Sequence, residues 1–176
     1  VERLLRYCAK EGHWSVFEQA SMTVEIVTPL AIAVQALRHR SFTFQQFSGR
    51  YEDQQLMRTH TEGLDAYLDM FYIPEQVRLA DKKNRQNSIV VDDPELDQNM
   101  QSVMMEAYNV CLSSYEELLN MGVAKEIARS VLPVGIYTEF WWTLNARSIM
   151  NFLSLRNAET AQREIRRYAE AVEQLW

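Results

Sequence analysis

The stretch from about residue 95 to 120 constrains this chain most. After Pro94, Met100, Val103, Met104, Ala107, Val110, Cys111, Leu118 and Leu119 fall largely on one side at helical spacing, and Gly122 is placed to end the run. The 176 residues fit one domain, or one domain missing a piece, and can bury a substantial core. The chain begins at Val1 and enters a helical pattern at once. The expectation is therefore a single domain over 1–176 that has lost an N-terminal segment.

Other segments alternate between the two periodicities. Leu4, Leu5, Cys8 and Ala9 make an apolar stripe over residues 1 to 11, which Gly12 terminates. A polar loop carrying His13, Ser15 and Glu18 leads to SMTVEIV, where Met22, Val24 and Ile26 alternate with Thr23 and Glu25 as in a half-buried strand. Thr28-Pro29 reads as an N-cap with proline at the first helical position, opening LAIAVQALRH, apolar almost all round except for Gln35 and Arg38. Phe42 and Phe44 alternate with Thr43 and Gln45 as in a strand, and Gly49 permits a sharp turn or a close backbone approach.

Residues 64 to 73 read as a short extended or helical run, and DKKNRQNSIVVDDP as a surface loop. AKEIARSVL makes a short helix, PVGIYTEFWWTL an extended segment, and Asn145 an N-cap for ARSIMNFLSLR. A last helix follows Asn157 and runs to Trp176, with Ala161, Ile165, Tyr168, Val172 and Leu175 facing inward. Trp141 and Trp142 read as core and subunit packing, Glu116 and Glu117 as a solvated face, and His60 has no partner visible in the sequence. The fold class is mixed α/β or α+β: a small, mostly antiparallel sheet flanked by long helices.

A formal charge of -6 argues against generic nucleic-acid binding, which needs a basic face to displace counterions. No apolar run approaches the roughly 20 residues that cross a bilayer, and nothing resembles a signal peptide, so the expectation is a cytoplasmic chain with no membrane partner. Cys8 and Cys111 lack metal-ligand spacing and read as reduced, packed thiols; no metal is expected.

Within this acidic chain, Arg38-His39-Arg40 ends a helix and enters a strand, and Ser48-Gly49-Arg50 follows closely. Guanidinium groups held on rigid elements suit bidentate binding of phosphate or carboxylate oxygens, and a small hydroxyl beside a Cβ-free backbone adds anion-binding donors. A plainer reading is a solvated basic turn at a helix C-terminus, where cations are favoured.

The spacing in RHRSFTFQQFS resembles the signature of the flavin-dependent thymidylate synthases. Three more blocks resemble that family in order: EGHWSVFEQASMTVEIVTPLAIAVQALRHR upstream, then ARSVLP, then NARSIMNFLSLRNAETAQREIRRYA. The resemblance implies FAD held by His13, Ser15, Arg38, His39, Arg40, Gln46, Asn145, Arg147 and Asn151. It implies dUMP bound by Gln35, Arg38, Gln46, Phe47, Ser48, Gly49, Arg50, Arg129 and Arg156. Arg156 and Ser48 fall at the catalytic centre, Arg156 as the cation that activates the pyrimidine at N3 and Ser48 as a ligand of the substrate phosphate.

The implied reaction moves a methylene from 5,10-methylenetetrahydrofolate to dUMP and reduces it with flavin electrons from NADPH, in a homotetramer whose sites are shared between subunits. Reduced flavin supplying hydride to the pyrimidine removes the need for the activated cysteine of ordinary thymidylate synthase, a role that suits neither Cys8 nor Cys111. At 100° per residue, Arg147 and Asn151 share one helix face while Arg156 points about 180° away, so one helix can serve two sites.

Thr43 and Gln45 are mild departures from the family pattern, and two further positions depart more seriously. Gln46 stands where a carboxylate is usual, and an amide can hydrogen-bond but cannot titrate. Thr160 stands where several relatives have a histidine near the flavin. A catalytically impaired flavin- or nucleotide-binding member of the fold is therefore the alternative, and a plain helical interaction protein a third reading that leaves the four polar blocks unexplained.

Overall fold

The computed structural model describes residues 1–51 and 70–176. His60 and most of the run expected over 64 to 73 lie outside the described residues. Helices and short strands alternate, giving an α+β protein with a small antiparallel sheet. The chain divides into two compact units.

The first unit comprises Val1–Ile26, Gln35–Gln45 and Phe140–Trp176. It opens with α1, Glu2–Lys10. Gly12 adopts φ +72°, the His13 N–H donates to the Cys8 carbonyl at 2.8 Å and the Gly12 N–H to Ala9 at 3.4 Å, closing the helix in a Schellman turn. None of the α1 residues is buried. A 3-10 turn over Trp14–Phe17 leads into β1, Ser21–Pro29.

In the three-stranded sheet, β5 (Tyr137–Asn145) is central, flanked by β1 and by β2 (Thr43–Gln46). Its burial alternates residue by residue, so Phe140, Trp142 and Leu144 face the core and Trp141 points the other way, 59% exposed. Period 2 is thus why the two adjacent tryptophans differ. Trp142 meets Phe42 and Phe152 edge to face, with centroids 4.7 and 4.9 Å away, the favoured aromatic geometry.

Phe152 belongs to α5, Ala146–Arg156. Asn145 caps this helix as expected, its Oδ1 accepting from the Ser148 N–H at 2.9 Å. The last helix, α6, begins at Arg163 and not directly after Asn157. It buries Ile165, Ala169 and Val172, whereas Leu175 is exposed in the final turn.

The second unit comprises Val27–Val34 and Gln46–Glu139. The expected Thr28-Pro29 cap is not formed. Both residues finish β1, and α2 (Leu30–Leu37) starts one position later, because the Leu30 and Ala31 N–H groups donate to the Ile136 and Val134 carbonyls at 2.8 and 2.9 Å. Those bonds satisfy the helix start without a side-chain cap. α2 is less enclosed than its composition suggests: Ile32, Ala33 and Ala36 are buried, while Ala31 and Val34 are exposed.

The segment expected to be a loop, residues 81–94, carries the connection and second strand of a hairpin, in which β3 (Arg78–Ala80), just before it, pairs antiparallel with β4 (Ser88–Val90), Leu79 opposite Ile89. Asp81 organises its polar connection, accepting from the Lys83 and Asn84 N–H groups at 2.8 and 3.3 Å and from Asn87 Nδ2 at 3.0 Å. These local bonds turn a hydrophilic run back on itself.

α3 spans Pro94–Asn120. Asp93 accepts from Leu96 N–H at 3.0 Å, Pro94 stands in the first turn, and Gly122 at φ +81° ends the helix with bonds from Gly122 to Leu119 and from Val123 to Leu118. The line it buries is Tyr108 and Tyr115, seven residues apart; Val103, Ala107 and Val110 of the expected apolar side are exposed. Tyr108 stacks on Phe71 at 4.9 Å and donates to the Tyr72 carbonyl at 3.2 Å, with Ile136 completing the cluster. α4, Lys125–Ala128, passes directly into a 3-10 turn over Arg129–Val131. Both cysteines are free and half-buried. Among the described residues no helix is long and apolar enough to cross a membrane.

A candidate cofactor cavity and the expected cations

The first unit contains a cavity of 740 Å³ whose lining includes Trp14, Glu18, Asn145, Arg147 and Asn151. Local structure brings these together. The glycine turn after α1 reverses the chain and the 3-10 turn presents Trp14. The Ala146 N–H donates to the Ala20 carbonyl at 3.1 Å, setting the start of α5 beside the end of that loop. The Arg147 guanidinium lies 5.9 Å above the Trp14 ring and pairs with the Glu18 carboxylate at 2.5 Å. Ser148 Oγ donates to the Ser41 carbonyl at 3.1 Å, tying the first turn of α5 to the segment after the basic triplet.

Of the residues expected to hold FAD, Asn145, Arg147 and Asn151 line this cavity, and His13 and Ser15 flank Trp14 in sequence. Both are exposed, as are Arg38 and Arg40. His39 is different: it is buried, stacked on Phe42 and edge-on to Phe152, where its Nε2 accepts from Arg156 Nε at 3.0 Å. Burial and the adjacent guanidinium lower its pKa, so the imidazole is neutral near pH 7.

Arg147 and Asn151 occupy the exposed side of α5, while Arg156, in its last position, reaches the interior beside Phe152 and His39. The two faces of one helix thus carry two different sets of polar groups, as the spacing predicts. The other polar exception of α2, Gln35, donates to Gln162 Oε1 at 2.5 Å. Thr160 is exposed.

Gln46, Phe47, Ser48, Gly49, Arg50 and Arg129 belong to the second unit. Gly49 is buried in a turn closed by the Tyr51 N–H on the Ser48 carbonyl at 3.1 Å. Arg50, in the turn after β2, pairs with Glu126 at 2.7 Å, and Glu126 lies three positions before Arg129, so Arg50 is tied to the short helical stretch that carries Arg129. Gln46 Nε2 donates to Thr138 Oγ1 at 3.0 Å.

Trp14, Glu18, Ser41 and Ser148 also line the cavity, and none of them is among the site residues expected from the sequence. A signal was present for Trp14, a large aromatic between His13 and Ser15 in an otherwise polar loop. Glu18 had none, because its partner Arg147 lies 129 positions away.

The donor set, an arginine over an indole with amides and hydroxyls around it, suits a flat, anionic nucleotide. Comparison with known proteins identifies the family. The family model described as thymidylate synthase complementing protein matches residues 1–176. A flavin-dependent thymidylate synthase from Kosmotoga olearia is 39% identical over 99% of this chain and 70% of its own length, and one from Synechocystis 38% identical over 99% and 74%. A probable flavin-dependent thymidylate synthase of Paramecium bursaria Chlorella virus 1 is 40% identical over 92% and 68%. Among solved structures, the UMP/dUMP methylase PolB from Streptomyces cacaoi, bound with 5-Br UMP, superposes with a TM-score of 0.82 at 32% identity, over 98% of this chain and 75% of that one. The chain belongs to the flavin-dependent thymidylate synthase family.

Proposed function

We propose that this chain converts dUMP to dTMP, taking a methylene from 5,10-methylenetetrahydrofolate and hydride from FAD reduced by NADPH. dUMP, methylenetetrahydrofolate, NADPH and a proton give dTMP, tetrahydrofolate and NADP⁺. The observation that carries this reading is the two-faced α5: Arg147 and Asn151 line the cavity on one side, and Arg156 stands beside His39 on the other.

FAD fits the first unit's cavity by donor chemistry. Arg147 would meet its phosphates, Trp14 offers a ring for stacking, and Asn145 and Asn151 supply amides, with His13, Ser15, Arg38 and Arg40 as further ligands. When bound, the flavin supplies the hydride. Glu18 holds Arg147 over Trp14 before a ligand arrives, and the pair must open or be shared when a phosphate binds.

For dUMP we assign Gln35, Arg38, Gln46, Phe47, Ser48, Gly49, Arg50, Arg129 and Arg156 as ligands. Ser48, Gly49 and Arg50 would take the phosphate through hydroxyl, backbone and guanidinium. Arg156 would lie against the pyrimidine, where a fixed cation stabilises negative charge developing on the ring. A homotetramer with sites shared between subunits is part of this proposal.

The test is an FAD-saturated assay for dUMP-dependent NADPH oxidation with dTMP formation, run also with UMP because PolB is described as acting on both. Formation of dTMP is expected. Yellow protein that binds FAD and dUMP yet never forms dTMP supports the second reading, an impaired member of the fold. Gln46 is its motive: a neutral amide already bonded to Thr138.

A further inference from the structure

His39 does a job that the basic triplet alone does not suggest. An arginine has no hydrogen-bond acceptor, so the 3.0 Å contact between Arg156 Nε and His39 Nε2 requires an unprotonated Nε2 and places the ring proton on Nδ1. The imidazole is rigidly mounted. Its backbone N–H donates to Ala36 at 3.0 Å, its carbonyl accepts from Phe42 at 3.3 Å, and its ring lies between Phe42 and Phe152, 5.8 and 5.0 Å away. Phe152 is one turn before Arg156 on α5, so the residue that packs the imidazole and the residue that bonds it lie on the same helix stripe.

We propose that His39 is the positioning residue for Arg156: its neutral imidazole accepts from Nε and leaves the two terminal nitrogens free to point together at the substrate ring. This rests on the proposed function, in which Arg156 meets the pyrimidine. Fixing one edge of a guanidinium leaves a planar pair of N–H donors on the other, the geometry that suits an anionic imide flanked by carbonyl oxygens. Protonation of His39 removes the acceptor and places two cations in contact. The charged group that acts on the imidazole is Arg156; the flanking Arg38 and Arg40 are exposed, and Phe42 and Phe152 are neutral. The depressed pKa of the imidazole agrees with this arrangement.

Two measurements test it. In the first, the ring nitrogens of His39 are followed by NMR during pH titration of the full chain, and the signals are assigned with His39→Gln. The Nδ1–H tautomer is expected, with a midpoint below that of an ordinary histidine that moves upward in Arg156→Gln. A midpoint unchanged by Arg156→Gln overturns the proposal, whatever the activity.

In the second, dTMP formation per bound flavin is measured against pH. His39→Leu is expected to lower kcat about 10- to 100-fold, the scale for a lost hydrogen bond to a charged group, with a much smaller change in KM for dUMP. His39→Gln, which restores an acceptor oxygen that does not titrate, recovers part of that loss and removes the acidic fall in kcat due to His39. Equal kcat in His39→Leu and His39→Gln, or an acid limb untouched by His39→Gln, overturns it. A coupled midpoint in a protein that makes no dTMP refutes the proposed function instead, while the hold of His39 on Arg156 stands.

Discussion

The Arg147 guanidinium lies 5.9 Å above the Trp14 ring, and Glu18 grips it from the side. An arginine so held is pre-oriented toward the cavity, yet both members of the ion pair keep much of their solvent contact, so the pair itself adds at most about 1 kcal/mol of stability. Arg147→Gln is therefore expected to weaken FAD binding by about tenfold or more, the loss of a charge-assisted bond, while the urea midpoint barely moves. Flavin fluorescence titration checks the first and chemical denaturation the second.

Arg50 and Glu126 form a similar exposed pair in the second unit. If Arg50 takes the substrate phosphate, Glu126 competes for it. Glu126→Gln removes that competition and is expected to lower KM for dUMP by up to about fivefold, on the scale of an exposed ion pair, with unfolding free energy unchanged within about 1 kcal/mol. A raised KM would instead mean that Glu126 orients Arg50 productively.

Gln46 donates to the Thr138 hydroxyl, which can equally well donate to a carboxylate by rotating its proton. Gln46→Glu should therefore fold normally. It places a titratable group where this chain has none, so dUMP-dependent flavin oxidation should change in rate and gain a new pH dependence. A variant with an unaltered pH–rate profile would show the position to be indifferent.

Gly135 has no room for a side chain. An added Cβ would lie 2.2 Å from Tyr108 Oη and 2.8 Å from its ring carbon Cζ. Tyr108 cannot step aside cheaply, because it stacks on Phe71 and donates to Tyr72. Gly135→Ala should cost about 1–3 kcal/mol through overpacking, read as a lower denaturant midpoint with an unchanged slope.

His39 also links stability to pH. Its folded pKa lies below the ordinary value of 6.5, so from 6.5 down to the lowered value the unfolded chain binds more protons than the native one. The contribution is present in full above pH 6.5 and is lost as pH falls through the folded value. Urea midpoints at pH 7.5 and pH 5 should differ more in the wild-type protein than in His39→Gln.

Elements governed by neighbours in sequence were readable in advance. Asn145 three positions before an unsatisfied N–H, and Gly12 and Gly122 at positive φ, act within one turn of chain, and each appears where its spacing placed it. The four blocks that carry the family resemblance lie on α5, at the end of α2, in the loop before β1 and around Arg129. Burial was harder to read. Val103 and Val110 have the same apolar character as Met104, and only packing around Phe71 and Tyr108 decides which line of α3 turns inward. Thr28-Pro29 looked like a cap because nothing local reveals that Ile136 and Val134 already satisfy the start of α2.

The sequence by itself determined the Asn145 cap, the helix stops at Gly12 and Gly122, and the family to which the chain belongs, because capping, turn and motif are short-range. Only the tertiary structure decided that Glu18 meets Arg147 and that His39 turns inward onto Arg156, since each pair joins groups more than 100 positions apart. The triplet Arg38-His39-Arg40 is thus split by folding into two exposed cations and one buried, neutral imidazole, a division that follows from the aromatic packing around the middle residue and from nothing in the triplet itself.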